Sequence, residues 1–419
     1  MPKISPFMGM GTLATHGEED SHPLGAHNMP IFQTSTFNFA DTASGAQIVE
    51  NQEGFYYTRL GNPNLQQFAG KIALLEGLDL LRAAQERSDA AVSLDEVAAG
   101  QVFASGMAAI AASLMAKVRA GDTVIAQEAL YSNTFNILHD IAPQYGIQVR
   151  WVKGQQAEEW EAAFQEHPQA VMAYLETPAN PTMTVIDIQM AAEIAHRYGA
   201  WVIVDNTFAT PYCQRPLTLG ADVVVHSTTK FLSGHGAIIG GALVSRHPAF
   251  VHQEVRKVLV NFGGVASPFD AWLGCQGLKT FELRMQRHCE NALGAARYLE
   301  AHPKVKSVFY PGLESHPAYA IASKQMHPAG AMLSFELNGG YQAGETLMNN
   351  VRVATLAVSL GNVDTLIQHP ASMTHHSVPR EERLKIGITD GLVRFSVGIE
   401  NLEDILEDLE QGLAKIGKI

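Results

Sequence analysis

WVIVDNTFATPYCQRPLTLGADVVVHSTTKFLSGHGAIIGGALVS, residues 201–245, contains three short apolar runs: WVIVD (201–205), DVVVH (222–226) and GALVS (241–245). Each is too short for a typical helix and rich in branched side chains, which reads as strands buried on both faces. The same signature recurs upstream in TVIA (123–126), QVRWV (148–152) and AVMAYLE (170–176). Helical patterning lies between them, around 132–142, 157–166 and 188–198. Strands alternating with helices predict an α/β fold, with a mostly parallel central sheet covered by helices on both faces. Polar residues follow the apolar runs at Glu176, Asp205 and His226. In open α/β sheets the ligand crevice lies outside the carboxyl ends of the strands, so this punctuation predicts where a site sits.

Outward from this segment the pattern changes in both directions. Residues 1–60 are rich in Gly, Pro, His and Thr with little periodicity, and read as an extended N-terminal arm. Residues 61–285 form the α/β body. After that a helix at 286–301 leads to VKSVFY (305–310), AMLSFEL (331–337), VRFSVGI (393–399) and an acidic amphipathic helix at 401–416. Strands and helices no longer alternate strictly there, which predicts a smaller α+β domain over 286–419. The polar stretch from about Leu81 to Gly100 reads as a surface excursion, and no internal repeat is visible.

The chain has 419 residues, 46% hydrophobic and 17% charged, enough to bury a sizeable interior. A formal net charge of −13 argues against a nucleic-acid partner, which needs a basic surface. A small phosphorylated ligand remains compatible, because a helix N-terminus supplies local donors. Cys213, Cys275 and Cys289 are widely spaced with no CxxC pair, which fits a reducing compartment. No apolar run approaches membrane-spanning length and the N-terminus lacks a signal-peptide core, so a cytoplasmic protein is expected.

The chemistry centres on VVVHSTTKFLSGHGAIIGG (223–241). A strand ends at His226, followed by hydroxyl residues, Lys230 and a glycine-rich turn. A lysine buried beside a strand end is costly unless neutralised, and desolvation makes its amine nucleophilic. Taken alone the segment also suits a surface lysine. Asp205, delivered by four apolar residues to the end of the preceding strand, changes the balance. A carboxylate there can keep a pyridine nitrogen protonated. Asp205 alone also suits a turn cap.

The run DNTFATPYCQRPLTLGADVVVHSTTKFLSGHG resembles the cystathionine γ-synthase and methionine γ-lyase group of fold-type I pyridoxal-phosphate enzymes. The resemblance extends from YYTRLGNPN to LVRFSVGIENLEDI. It implies that Lys230 is the Schiff-base lysine and that Asp205 pairs with the pyridinium nitrogen. ASGMAAI (104–110) matches the phosphate-binding turn, with Ser105, Gly106 and Met107 aiming N–H groups at an anion. Ser227 and Thr229 match further phosphate donors. Tyr57 and Arg59 match a pair that a neighbouring subunit contributes, which implies a dimer at least and a homotetramer as a dimer of catalytic dimers. Tyr131 matches the tyrosine that stacks on the cofactor and protonates the leaving group. Arg394 matches the arginine that grips the substrate carboxylate, with Ser359 and Asn180 as its helpers.

His369, His375 and His376, or His16 and His22, raise a metal reading, but neither set has ligand spacing on a helix and no metal is assigned. The resemblance implies γ-elimination on a sulfur amino acid, with a methionine γ-lyase-like reaction as the first reading. Val358 precedes Ser359 where cystathionine-processing members tend to carry a glutamate. Against strict methionine specificity, Asn133 stands where methionine γ-lyases typically have a cysteine, Ser132 replaces a glycine, and Leu259 and Val260 replace a Lys-Asp pair. The alternatives are γ-replacement with an O-acyl-homoserine and a thiol, or cystathionine γ-lyase chemistry. A nicotinamide oxidoreductase is disfavoured because GHGAIIGG does not match GxGxxG and follows no early strand. A non-catalytic binding protein would not need Lys230, Asp205, Tyr131 and Arg394 together.

Overall fold

A computed structural model of the chain describes residues 4–19, 22, 24–51, 53–374, 376, 379–385 and 387–417. His375, one of the histidines weighed for a metal, lies outside the described residues. A seven-stranded sheet is built from β1 (Ala99–Phe103), β2 (Thr123–Gln127), β3 (Gln148–Val152), β4 (Met172–Glu176), β5 (Trp201–Asp205), β6 (Val223–Ser227) and β7 (Gly241–Ser245). Their order is β1-β7-β6-β5-β4-β2-β3, parallel except that β7 runs antiparallel to both neighbours.

Alternation explains why these strands are apolar throughout. Val202 and Val204 of β5 face one hydrophobic core with Ala173, Leu175 and Val224. Ile203 faces the other with Met172, Tyr174, Val223 and Val225. Successive side chains point to opposite faces, so a sheet covered twice needs apolar residues at both parities. Side-chain caps start several covering helices. Asn62 accepts from Asn64 N at Pro63–Glu76, Ser105 from Ala108 N at Gly106–Lys117, and Asp187 from Met190 N at Ile188–Arg197. Each such cap is worth about 1 kcal/mol.

The twenty-residue helix Phe281–Glu300 joins the two parts of the molecule. Phe281, Met285 and Cys289 pack into the first core, while Ala292, Ala295, Ala296 and Leu299 pack into a third. That third core lies under a five-stranded sheet, ordered β10 (Thr355–Leu356), β11 (Leu366–Gln368), β12 (Leu392–Ser396), β9 (Met332–Leu337) and β8 (Val305–Phe309). Its other helices are Gly340–Met348 and Leu402–Leu413.

The six strands expected in the α/β body are present, and β1, β10 and β11 are additional. The stretch expected as one helix at 132–142 is instead Ser132–Asn136, a π-helical turn Ile137–Ile141 and a 3₁₀ turn Ala142–Tyr145. Pro143 lacks the N–H a regular helix would need there. Two helices, Met10–His16 and Thr42–Asn51, interrupt the first sixty residues. Leu13 packs with Leu74, Leu78 and Leu81 of the same chain. Arg82 donates to the carbonyls of Pro6 and Met8, so the 81–100 stretch begins as a buttress for the N-terminus. No helix among the described residues is long and apolar enough to cross a membrane.

Candidate active site

β4, β5 and β6 end side by side, with Glu176 paired to Asp205 in register and Asp205 paired to Val225. Lys230 follows β6 in a turn closed by Lys230 N to Ser227 O at 3.2 Å and Gly234 N to Lys230 O at 2.8 Å. Gly234 has φ of +71°, and a Cβ there would lie 1.9 Å from Arg284 Nη1. Arg284 is buried and donates to Phe231 O and Gly277 O, each at 2.8 Å, which fixes the backbone just past the lysine.

The Lys230 amine donates to Ser359 Oγ at 3.0 Å. Burial, helped by the nearby Arg394 charge, pushes this amine down to about 8. Arg394 comes from β12 in the second sheet and is buried. Its Nη2 donates to Val358 O at 2.8 Å and Ser359 O at 2.9 Å, and its Nη1 to Asn180 Oδ1 at 3.1 Å. All three acceptors are neutral, and no carboxylate among the described residues forms a salt bridge with it. Burial lowers its guanidinium to about 10, partly opposed by the nearby Tyr131.

On the other side, Asp205 accepts from Thr207 N at 2.9 Å, and Thr207 Oγ1 accepts from Ser227 N at 2.9 Å. Burial raises the Asp205 carboxyl, opposed by the Thr207 hydrogen bonds and by the neighbouring His226. Glu176 is also buried, and its burial plus the Asp205 charge push it up to about 8. Two adjacent buried carboxyls are therefore not both ionised at neutral pH.

The helix beginning at Gly106 reaches the same edge. A Cβ on Gly106 would lie 2.9 Å from Ser227 Cβ, and one on Gly241 would lie 2.1 Å from Ser105 O. Glycine at both positions lets the helix N-terminus approach the ends of β6 and β7. The first-turn N–H groups of Gly106 and Met107 have no intrahelical acceptors and carry the positive end of the helix dipole. Thr229 Oγ1 is engaged by the Gly240 backbone, accepting from its N at 3.0 Å and lying 3.3 Å from its O.

Tyr131 precedes the helix Ser132–Asn136 and donates its N–H to Glu176 Oε2 at 2.7 Å. Its phenol oxygen accepts from Asn133 Nδ2 at 3.2 Å. Asn180 donates its N–H to Glu176 Oε1 at 2.9 Å. One hydrogen-bonded chain thus links Lys230, Ser359, Arg394, Asn180, Glu176, Tyr131 and Asn133. Tyr57 and Arg59 stand apart: Arg59 Nη1 donates to Val260 O at 2.7 Å and its guanidinium lies 5.4 Å from the Tyr57 ring. Both line a surface cavity of about 360 Å³ with Gly263 and Val265. Leu259 is buried in the second core.

The residues fit a phosphorylated pyridine aldehyde. A partly neutral buried amine suits the aldehyde, a buried carboxylate suits the ring nitrogen, and a glycine-lined helix N-terminus suits the phosphate. The sequence had marked Glu176 and His226 only as polar strand ends. Glu176 proves to be the junction of two loops. His226 Nε2 lies 2.6 Å from Glu76 Oε1, which also accepts from Asn206 Nδ2 at 2.8 Å, in a wholly buried group behind Asp205. A polar residue after four apolar ones signals such positions without naming their partners.

The family described as Cys/Met metabolism PLP-dependent enzyme matches residues 11–414. An L-methionine gamma-lyase of Fusobacterium nucleatum subsp. nucleatum is 47% identical over 97% of this chain and 98% of its own length. One from Porphyromonas gingivalis is 46% identical over 97% of each chain. Among solved structures, a cystathionine gamma synthase from Xanthomonas oryzae pv. oryzae, in complex with aminoacrylate and cysteine, superposes with a TM-score of 0.87. It is 36% identical and the match covers 97% of this chain and 98% of that one. The fold-type I α/β architecture expected from the sequence is therefore the fold of this chain.

Proposed function

Because the chain belongs to the Cys/Met metabolism PLP-dependent enzymes, we propose that it is a carbon–sulfur lyase that converts L-methionine and water to 2-oxobutyrate, methanethiol and ammonia by γ-elimination. The observation that carries this reading is Arg394, a buried guanidinium with only neutral acceptors, joined through Ser359 to a buried lysine amine. A buried cation of this kind is stabilised by an anion from outside, and an amino acid brings one in its α-carboxylate.

Pyridoxal phosphate, when bound, supplies an electron sink for negative charge developing on the substrate's carbon atoms. Ser105, Gly106, Met107, Ser227 and Thr229 would hold its phosphate, Asp205 its ring nitrogen, Lys230 its aldehyde and Tyr131 its ring face. Tyr57 and Arg59 of a second copy complete the phosphate site, in a homotetramer made of two catalytic dimers. Arg394, aided by Ser359 and Asn180, orients the substrate carboxylate. Lys230 Nζ, which titrates near 8, takes the proton from substrate Cα at neutral pH. Tyr131 Oη gives a proton to the departing sulfur, with Asn133 Nδ2 fixing the phenol. Val358 supports an apolar substrate tail, since it places no carboxylate beside Arg394 for a second ammonium. The three free cysteines accord with a cytoplasmic enzyme.

A second reading, γ-replacement on an O-acyl-homoserine by a thiol, is favoured by Asn133, a polar group that could engage an oxygen leaving group. Incubation with L-methionine alone, followed by assays for 2-oxobutyrate and methanethiol, separates the two. Product from methionine alone supports the lyase; product only from an O-acyl-homoserine plus a thiol overturns it. Cystathionine as sole substrate tests the cystathionine γ-lyase alternative in the same panel. Mixing inactive Lys230→Ala and Arg59→Ala subunits restores activity if the sites are shared between copies.

A further inference from the structure

Glu176 is nearly inaccessible to solvent, yet it points at no arginine or lysine among the described residues. Its two oxygens accept from two backbone N–H groups that belong to different loops. Oε2 takes Tyr131 N at 2.7 Å, and Oε1 takes Asn180 N at 2.9 Å. The Glu176 backbone is itself fixed. Its N–H donates to Gln127 Oε1 at 3.1 Å, and its Cα is in register with Asp205 on the adjoining strand. Asn180 continues outward to Arg394 through its Oδ1 at 3.1 Å, and Tyr131 continues to Asn133 through its phenol at 3.2 Å. A single carboxyl group therefore measures the separation of the loop bearing the tyrosine from the turn bearing the asparagine, and references both to the strand end that carries Asp205.

We propose that Glu176 is a positioning residue that holds the leaving-group end and the carboxylate end of the substrate site in register with each other. This rests on the roles given above to Tyr131 and to the Asn180–Arg394 pair. A carboxyl group suits the task because, ionised or protonated, both of its oxygens keep a lone pair that can accept an N–H. Glutamine offers one acceptor oxygen and sets its NH₂ against the other backbone N–H. Alanine leaves both N–H groups buried without a partner. Aspartate keeps both oxygens but draws them back along the strand by one methylene.

The test compares holoenzymes carrying Glu176→Ala, Glu176→Gln, Tyr131→Phe and Asn180→Ala with the two double variants that combine Glu176→Gln with Tyr131→Phe or with Asn180→Ala. Steady-state kinetics with methionine are read as separate kcat and KM. The dissociation constant of L-norleucine, which carries no leaving group, is read from the visible spectrum. Tyr131→Phe lowers kcat by about 100-fold and leaves norleucine binding unchanged, whereas Asn180→Ala weakens norleucine binding and raises KM. Glu176→Ala does both, with cofactor content unchanged. Glu176→Gln falls between it and the parent, and adding Tyr131→Phe or Asn180→Ala to it costs less than the single change costs alone, because coupled residues do not add. If Glu176→Ala fails to fold, the Glu176→Gln cycles carry the same reading. Strict additivity in both cycles, or unchanged kcat and norleucine affinity in Glu176→Gln, overturns the positioning role. Loss of effect in Tyr131→Phe and Asn180→Ala themselves overturns the underlying assignment of the site instead.

Discussion

Lys230 offers a quantitative check that does not depend on turnover. Its amine titrates at about 8 in place of 10.5 because it is buried and, second, because Arg394 lies nearby. At pH 7 an amine of this kind is neutral in roughly one molecule in ten, against roughly one in three thousand for an ordinary lysine. Trace reductive methylation of the apoenzyme over a pH series, with peptide mass mapping, reads this directly as the pH at which Lys230 labelling reaches half its plateau. The expected midpoint is near 8. Arg394→Gln removes a repelling cation and raises the midpoint, though not to 10.5, because burial is the larger cause. Ser359→Ala removes the acceptor of the ammonium's hydrogen bond and lowers it. Stability follows with a definite sign. The unfolded chain binds the lysine proton more tightly than the folded one, so the penalty on folding is fully present below about pH 8 and fades as the pH rises to about 10.4. Lys230→Met therefore stabilises the apoenzyme by up to about 3 kcal/mol at pH 7 and by nothing above pH 10.5. A labelling midpoint above pH 10, or a stabilisation that does not change with pH, refutes the reasoning.

Three other outcomes follow from packing. Gly234→Ala combines a φ of +71° with a Cβ 1.9 Å from Arg284, so it should yield little soluble protein, whereas Gly263→Ala, also at positive φ but with open space around its Cβ, should remain soluble on expression. Glu76→Ala deprives His226 and Asn206 of their buried acceptor, and denaturant melts should show a loss of about 3 kcal/mol. Gly106→Ala presses a methyl group against Ser227 and should weaken cofactor affinity at equilibrium dialysis while leaving the melting temperature of the apoenzyme close to that of the parent.

The sequence is legible where one physical requirement acts on consecutive residues. The runs in β4, β5 and β6 are apolar at every position because both faces are covered, and the polar residue ending each run marks the edge where a ligand sits. β1 escapes the same reading because AGQVF carries a glycine and a glutamine, and Gly100 is needed where a Cβ would meet Ala69 O at 2.7 Å. β10 and β11 are two and three residues long, too short to show a period. Within the site, Asp205 at the end of β5 and Lys230 in the turn after β6 are legible only as a pair, but Arg394 arrives from a separate sheet and its partners Asn180 and Ser359 from separate loops. Glu176 was visible as a strand end, yet its partners at Tyr131 and Asn180 are set by tertiary packing that no local pattern encodes. Arg284 is hidden for a similar reason: within a helix, it looks like a surface residue until the Lys230 turn is laid against it.

The charges of the site suggest why its parts occur together. Lys230 and Arg394 are two cations buried near each other, and Asp205 and Glu176 are two carboxyls buried on neighbouring strands; in each pair one member raises the cost of charging the other. Left as they stand, both pairs cost folding energy. In the proposed reading, an incoming carboxylate would offset Arg394, and a covalent link at the Lys230 amine would remove its share of the repulsion. There a protonated ring nitrogen beside Asp205 would stabilise that anion, with the proton of the pair on Glu176, whose oxygens keep lone pairs for Tyr131 N and Asn180 N. Binding thus relieves at each end the strain that burial imposed, so cofactor and substrate should each stabilise the fold against heat beyond what their contact areas suggest. The exposed Tyr57–Arg59 pair obeys a different logic: it is solvated, its guanidinium is held by a backbone carbonyl, and in the proposed assembly a phosphate on another copy would be its strong partner.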